Sequence, residues 1–250
     1  IEYANAFFSK RQRKGATLKD SKELMKKPNY FGSMMVELGE ANALISGLTT
    51  SYPNTIRPAL QCVGIKEGLN IVSGLYIVFS KQDVFFFADT TVNVNPNAEQ
   101  LAEIAISAAD TAKEFDVVPR IAMLSFSNFG SAPYPESIKV KNAVRLVKER
   151  RPDLLIDGEM QADTAVVPEI IENEFPFSEL TGKANVLVFP DLSSGNIAYK
   201  LMARIGQATV IGPVLMGMKK PIHVLQRGAT VDDIINMTAI AVAEAGAKKK

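Results

Sequence analysis

Apolar runs of strand length alternate with helical patterns along most of this 250-residue chain, and this alternation is what most constrains its fold. Buried strands are expected at 43–46, 121–124, 154–156, 186–189 and 209–215. Because strands that alternate with helices form parallel sheets covered by helices, the pattern predicts an α/β fold with a mainly parallel sheet. The runs 71–79 and 84–87 are β-rich and separated by a polar turn, which indicates a hairpin.

Charge and rare residues exclude several classes of function. The chain has 28 Lys and Arg against 27 Asp and Glu, so no overall field recruits nucleic acid or an acidic membrane. The single Cys62 excludes an intramolecular disulfide and a cysteine metal site, and its apolar helical surroundings indicate a buried residue. His223 is the one histidine, so we expect a packed or hydrogen-bonded side chain and no metal centre. The chain shows neither a membrane-spanning apolar run nor a signal-peptide layout, and a cytoplasmic location is expected.

A loop and a helix start near the C-terminus suit two interpretations. Arg227 and Gly228 precede Thr230, a residue type that caps helices, and Asp233 follows three positions later. Amides at a helix start favour negative charge, and an arginine can fork two hydrogen bonds onto a phosphate or carboxylate, so an anion site is one interpretation. Thr230 and Asp233 also have the spacing of a capping box, and the segment by itself favours ordinary capping.

Loops that follow buried strands are where open α/β sheets hold ligands. The strand at 121–124 runs into Ser127, Gly130 and Ser131, whose hydroxyls and amides suit phosphate oxygens, although serine and glycine are common in any loop. The strand at 154–156 is followed by polar residues for which we expect hydrogen-bonding roles rather than metal binding: Asp157, Gln161 and Asp163.

Two arginines in the first third of the chain have an ordinary interpretation when the residues are considered by themselves. Arg11 belongs to the basic cluster 10–14, which is typical of a solvated helix end. A helix is expected at 55–63 with Thr55 as its cap, since Pro58 is tolerated only in a first turn. Arg57 would then oppose the helix dipole at a small local cost, and the residues by themselves favour a surface arginine.

Segments distributed along the chain resemble a known family. They are RQRKG (11–15), YFGSMMVELGEANALISG (30–47), NTIRPALQ (54–61), FFFADTTVNVNPNAEQLAEIA (85–105), PRIAMLSFSNFGSA (119–132), RPDLLIDGEMQAD (151–163), FPDLSSGNIAYK (189–200), GPVLMGMKKP (212–221) and HVLQRGATVDDIINMTAIA (223–241). With them the chain resembles the phosphate acetyltransferase family along nearly its whole length. SNFGS, DGEMQAD, SSGNIAYK and HVLQRG are most similar to the phosphotransacetylase-like C-terminal domain of bacterial NADP-dependent hybrid malic enzymes.

The resemblance implies a fold and an assembly. It implies two α/β/α lobes with a ligand cleft between them, similar to isocitrate and isopropylmalate dehydrogenases and called the phosphotransacetylase fold. Lobe 1 would comprise 1–68 and 215–250, and lobe 2 would comprise 69–214. An N-terminal part of lobe 1 is expected to be missing, and a homo-oligomer, at least a dimer, is expected.

The resemblance also implies roles for single residues. In the family a Ser-Arg-Gly triplet precedes a helix with a catalytic aspartate, which corresponds to Asp233 as the base for the CoA thiol. Gln226 replaces the family serine, which stabilises the charge developing on the acyl oxygen. The phosphate or acyl-CoA groups are implied to contact Arg11, Arg57, Arg227, Ser127, Gly130 and Ser131.

Three functions follow, in order of preference. The first is an acetyl-CoA-binding regulatory domain of an NADP-dependent malic enzyme, because Gln226 misplaces a catalytic donor while the ligand-binding residues remain. Malate oxidation, NADP and a divalent metal would then belong to an attached N-terminal malic enzyme domain, and this chain would hold only acetyl-CoA or CoA. The alternative is an active phosphate acetyltransferase, and the third is an oligomerisation scaffold.

Residues 248–250 are expected to be a solvated tail.

Overall fold

The computed structural model describes residues 1–81 and 83–247, so the tail at 248–250 and Gln82 of the hairpin turn lie outside the described residues. The chain divides into two compact units. Unit 1 comprises Ile1–Leu69 and Pro213–Lys250, and unit 2 comprises Asn70–Gly212. The domain borders expected at 68/69 and 214/215 stay a prediction.

Helices and strands alternate in the order that the apolar runs indicate. The helices are α1 (Glu2–Arg11), α2 (Leu18–Leu24), α3 (Pro28–Leu38), α4 (Tyr52–Cys62), α5 (Ala98–Glu114), α6 (Pro135–Arg150), α7 (Ala162–Val166), α8 (Pro168–Glu174), α9 (Leu192–Arg204) and α10 (Val231–Ala247). The strands are β1 (Leu44–Ser46), β2 (Ser73–Ser80), β3 (Asp83–Ala88), β4 (Arg120–Leu124), β5 (Leu155–Met160), β6 (Val186–Val188), β7 (Thr209–Met216) and β8 (Ile222–Val224).

The larger sheet has six strands in the order β5-β4-β6-β3-β2-β7. Strands β5, β4, β6 and β3 are parallel neighbours, and β2 pairs with β3 in the antiparallel direction. The prediction of a mainly parallel sheet is confirmed for these four strands, and the β2–β3 hairpin is confirmed by the register Ser80↔Asp83. Because β3 to β6 run in the same direction, their carboxyl ends meet at one edge of the sheet.

Helix α5 packs closely on unit 2 because its inward face is made of small side chains. Ala102, Ala105, Ala108 and Ala112 are completely buried, which lets the helix backbone approach its neighbours. The helix begins with a capping box in which Asn97 Oδ1 accepts from the Gln100 amide at 2.9 Å and the Gln100 side chain accepts from the Asn97 amide at 3.0 Å.

In unit 1, strands β1 and β8 form a two-stranded parallel sheet with Ile45 opposite His223. Cys62 is completely buried at the end of α4, which confirms the expectation of a packed thiol. His223 is completely buried, its Nδ1 accepts from the Leu215 amide at 3.2 Å, and its Nε2 lies 3.2 Å from Glu244 Oε2. The expectation of a packed, hydrogen-bonded histidine is therefore confirmed.

The start of α4 differs from the prediction. The helix begins at Tyr52, so Pro58 is inside it, Thr55 is not its cap and Arg57 is beyond its first turn. Pro53 explains the earlier start, since its fixed φ suits the first helical positions. Pro58 has no N–H for the carbonyl four residues earlier, and Asn29 Nδ2 donates to that Asn54 carbonyl at 3.1 Å instead.

No helix among the described residues is both long and apolar enough to cross a bilayer. Within 1–81 and 83–247, no group of three or more His, Cys, Asp or Glu side chains is placed to hold a metal ion.

Candidate functional site

Unit 1 brings Arg11 and Arg57 near the same tyrosine. Tyr30 is only 7% exposed, and its hydroxyl donates to Gln61 Oε1 at 2.7 Å. Burial is the main cause that raises the pKa of Tyr30, and the positive charges of Arg57 and Arg11 oppose that rise. Among the described residues, neither guanidinium has an ion-pair or hydrogen-bond partner. Two unpaired cations beside a buried hydroxyl leave unit 1 able to hold an anion.

The loop after β8 carries Arg227 at the end of unit 1 where α4 begins. The Leu225 amide donates to the Ser46 carbonyl at 2.7 Å, which joins the ends of β8 and β1. Thr50, just after β1, lies 2.9 Å from Thr55 in α4, measured between the two hydroxyl oxygens. Arg227 lies two residues after Leu225, and Arg57 lies two residues after Thr55. Both arginines therefore adjoin the contacts at the ends of β8, β1 and the start of α4.

The loop itself is exposed and turns at a glycine. Gln226, Arg227 and Gly228 are exposed, and Gly228 has φ 81°, a left-handed conformation that glycine adopts without steric cost. The side chains of Gln226 and Arg227 thus face solvent just before α10, where a ligand could reach them.

Asp233 caps its own helix. Its Oδ2 accepts from the Thr230 amide at 2.8 Å and from the Thr230 hydroxyl at 2.9 Å, while the Asp233 amide donates to Thr230 Oγ1 at 3.2 Å. The capping-box interpretation is therefore confirmed. All the bonds to the carboxylate use Oδ2, and Oδ1 accepts none from the described residues. One oxygen of Asp233 remains available for a proton.

In unit 2, the loop after β4 directs its donors towards a buried carboxylate. Glu159, near the end of β5, is 1% exposed, and its Oε1 accepts from the Gly130 amide at 2.6 Å and the Ser127 hydroxyl at 3.1 Å. Ser131 accepts from the Asn128 amide at 3.0 Å and lies 3.3 Å from the Ser127 hydroxyl. Phosphate binding by Ser127, Gly130 and Ser131 stays a prediction, and a ligand would have to compete with Glu159 for two of these donors.

Two further loops at this edge are held together by hydrogen bonds. Asp89, after β3, is buried and accepts from the Gly74, Thr91, Val92 and Asn93 amides, at 2.8 to 3.1 Å. Asn196 in α9 donates to the Thr90 carbonyl at 3.2 Å. Gly195 permits this approach, since a Cβ there would lie 2.4 Å from the Asp89 carbonyl oxygen.

Asp157 is hydrogen-bonded, but it lies inside β5 (Leu155–Met160), so the expectation that it follows the strand is wrong, and a role beside a ligand stays a prediction. Its Oδ2 accepts from the Ser178 hydroxyl and the Glu179 amide, both at 2.8 Å. Sequence reasoning missed Tyr30, Glu159 and Asp89 as organisers of these regions. Of these three residues, only Glu159 could have been found from the sequence, because it is a carboxylate inside a strand pattern. A charged residue in such a position is rarely buried unless hydrogen-bond donors surround it.

The comparisons with known proteins decide the family. A family model described as phosphate acetyl/butaryl transferase matches residues 1–242. The chain belongs to this family. A phosphate acetyltransferase of Bacillus subtilis is 44% identical over 244 residues, which is 98% of this chain and 75% of that protein. A longer one from Nitratidesulfovibrio vulgaris is 44% identical over 248 residues, and this chain spans 35% of its length.

Comparison with solved structures leads to the same family. A phosphotransacetylase from Streptococcus pyogenes matches with TM-score 0.95 and 42% identity, over 98% of this chain and 75% of that one. A protein from Salmonella typhimurium that is described as a putative 4-hydroxythreonine-4-phosphate dehydrogenase matches with TM-score 0.51 at 14% identity, which shows the fold alone. The predicted α/β phosphotransacetylase fold with a dehydrogenase-like relative is thus confirmed.

The preferred functional prediction was wrong. Relatives that match nearly the whole chain at 42–44% identity are named phosphate acetyltransferase, which contradicts a regulatory malic enzyme domain and favours the alternative, an active transferase. The malic enzyme partner, NADP and the divalent metal lose their support with it. The prediction rested on four short segments, HVLQRG among them, and on Gln226, and similarity along the whole chain outweighs them.

Proposed function

We propose that this chain is a catalytically active phosphate acetyltransferase that moves an acyl group reversibly between the sulfur of CoA and phosphate. The observation that carries the proposal is its similarity, along nearly the entire chain, to proteins named for that activity. The unpaired Arg11 and Arg57 around Tyr30 support it, since the reaction needs cations for a phosphoryl group.

Asp233 acts as the base in this proposal. Its Oδ1 takes the proton of the CoA thiol, and the thiolate attacks the acyl carbon of acetyl phosphate. The bond from that carbon to the bridging oxygen breaks, and phosphate leaves with the electron pair. The capping box supports this role because it holds the carboxylate by Oδ2 and leaves Oδ1 open. Arg11, Arg57 and Arg227 hold the phosphoryl group.

Gln226 takes the place of the family serine beside the acyl oxygen. It keeps a hydrogen-bond donor, although a longer side chain puts that donor farther from the backbone than a hydroxyl. We therefore expect turnover that is slower than a serine would support, rather than none. CoA, acetyl-CoA and acetyl phosphate are the ligands, no cofactor takes part within this chain, and a cytoplasmic location remains our expectation.

We also infer that unit 2 pairs with a second copy of itself. A groove of about 780 Å³ lies in unit 2 between α9 and α7, over apolar strand residues such as Phe85, Phe87 and Leu187. Leu201 in α9 and Ile205 just after it line the groove, and with Ile197 they form an apolar ridge in which Ile197, Leu201 and Ile205 are 56%, 51% and 77% exposed.

Ridge and groove lie side by side, which suits a two-fold contact in which each copy covers the other's apolar surface. Two lysines and two aspartates surround the groove, so their formal charges cancel and do not repel a second copy of the same surface: Lys81, Asp83, Asp163 and Lys183.

The test of the transferase is a direct assay of acetyl-CoA formation from acetyl phosphate and CoA, followed by the absorbance of the thioester. We expect CoA-dependent turnover that Asp233→Asn lowers by at least about a hundredfold, as loss of a general base does. Asp232→Asn is the matched control, because Asp232 is the exposed neighbour in the same turn. Absence of turnover above the uncatalysed reaction, or equal loss in both variants, contradicts the proposal.

A further inference from the structure

The strand ends of unit 2 carry an imbalance of charge. The segments 89–97, 125–134, 161–167 and 190–196 follow β3, β4, β5 and β6. They include helix α7 and the first turn of α9, and we call them together the strand-end loops. They contain no lysine, arginine or histidine, whereas Asp89, Asp163 and Asp191 belong to them and Glu159 is buried beside them. A phosphate-bearing ligand at this edge would meet mainly negative charge, which disfavours binding.

One cation reaches the strand-end loops from outside. Lys139 lies in α6, and its Nζ donates to Asn95 Oδ1 at 3.0 Å and to the Pro190 carbonyl at 2.9 Å. It thereby contacts the loop after β3 and the loop after β6 at once. Within residues 1–81 and 83–247, no other lysine or arginine side chain donates a hydrogen bond to these loops.

The ammonium of Lys139 is only partly satisfied. An ammonium has three N–H donors, and two of them meet neutral oxygens while none of the described carboxylates forms an ion pair with it. Burial lowers the pKa of Lys139, and the more distant charges of Asp191 and Glu136 oppose that change. A half-buried cation without a paired anion is costly, and an anionic ligand would offset that cost.

We propose that Lys139 is a ligand-binding residue whose remaining N–H donates to a phosphate oxygen of the substrate at the strand-end loops. The inference rests on the proposed function for the identity of the ligand, a phosphate ester of CoA or an acyl phosphate. Lys139 offsets the repulsion of the neighbouring carboxylates, and its two loop contacts hold the ammonium in place.

The experiment measures binding by titration calorimetry, separately from turnover. The probes are CoA, acetyl phosphate and pantetheine, the last being the thiol end of CoA without phosphate. The variants are Lys139→Met and Lys139→Arg, with Lys141→Met as the control because Lys141 is an exposed lysine of the same helix.

We expect Lys139→Met to weaken at least one phosphate-bearing probe about tenfold, the scale of a hydrogen bond between charged groups, while pantetheine binds as before. The probe that loses affinity, CoA or acetyl phosphate, identifies the ligand whose phosphate Lys139 contacts. Lys139→Arg should restore most of the affinity, and the difference between wild type and Lys139→Met should shrink as salt rises.

Three results would overturn the inference. The first is equal affinity of wild type and Lys139→Met for both phosphate-bearing probes, and the second is no binding of either probe by wild type. The third is a parallel loss for pantetheine that Lys139→Arg does not restore, because that identifies Lys139 as a loop support only. A protein that binds CoA through Lys139 without turnover contradicts the proposed function and not this inference. Turnover in Lys139→Met with the wild-type KM for both CoA and acetyl phosphate contradicts this inference and not the proposed function.

Discussion

A glutamine amide and a serine hydroxyl place their donors at different distances from the backbone, and at residue 226 that difference bears on rate. Transition-state stabilisation tolerates displacements of only a fraction of an ångström, whereas ligand binding tolerates more. Gln226 is exposed on the loop before α10, so a ligand can reach it. A substitution at residue 226 should therefore change the turnover number more than the affinity for the ligands.

We predict that Gln226→Ser raises the turnover number by about a hundredfold, the contribution of one well-placed oxyanion donor. The KM for CoA should change little, because the arginines are unaltered. The measurement is the steady-state rate of acetyl-CoA formation. Gln226→Ala, which removes the amide without adding a hydroxyl, is the matched control, and an equal gain in both variants would refute the explanation.

Cys62 offers a second test at the scale of one residue. Burial, the main cause, raises the pKa of the Cys62 thiol to about 12, so the reactive thiolate is scarce at pH 8. We expect native protein to resist a thiol-specific disulfide reagent at pH 8 for far longer than protein unfolded in guanidinium chloride. Rapid labelling of the native state at the unfolded rate would show that the end of α4 opens.

At the scale of elements, α4 depends on a side chain from another helix. Asn29, in α3, donates to the Asn54 carbonyl that Pro58 leaves without a partner, and it accepts from the Ser46 hydroxyl at 2.7 Å. One amide therefore joins α3, β1 and α4 at the end of unit 1 that carries Arg57. Helix α4 keeps an internal proline because a neighbouring side chain replaces the missing N–H.

Asn29→Ala should lower the free energy of unfolding by about 1–3 kcal/mol, because it removes two hydrogen bonds that each contribute about 0.5–1.5 kcal/mol. Denaturant unfolding followed by circular dichroism measures it. Asn42→Ala provides the comparison, since Asn42 is exposed and should change stability by less than about 0.5 kcal/mol. If the two variants unfold alike, the Asn29 contacts contribute little.

At the scale of the whole molecule, the exposed side chains of α9 bear on assembly. Isolated apolar residues on a surface are ordinary, whereas contiguous exposed apolar surface is typical of interaction sites, and for this reason we propose a contact between copies at the groove and ridge of unit 2. Both features lie in unit 2, so the proposed contact between copies does not require unit 1.

Leu201→Asp should convert the oligomer to monomer, because a charge in an apolar contact is desolvated without a partner. Light scattering after size-exclusion chromatography gives the mass. Val118→Asp is the control, since Val118 is exposed in the same unit and does not line the groove. A wild-type monomer, or an oligomer that persists in Leu201→Asp, would rule out this surface.

The order of elements was readable because it depends on local periodicity. The antiparallel hairpin, the buried Cys62 and the Thr230–Asp233 capping box all involve residues close in sequence, or a single apolar pattern. The early start of α4 was missed because Pro53 and Pro58 both suit a first turn, and only the Asn29 contact decides that Pro58 can lie inside.

The sequence by itself determined the α/β alternation, the family resemblance and the residue types available for an anion, since these depend on spacing along the chain. Only the tertiary structure decided where the donors point. Ser127 and Gly130 look free in the sequence, yet they meet Glu159 from another strand about thirty residues away. Buried polar groups must find partners, and the fold chooses those partners across distances that no local pattern encodes.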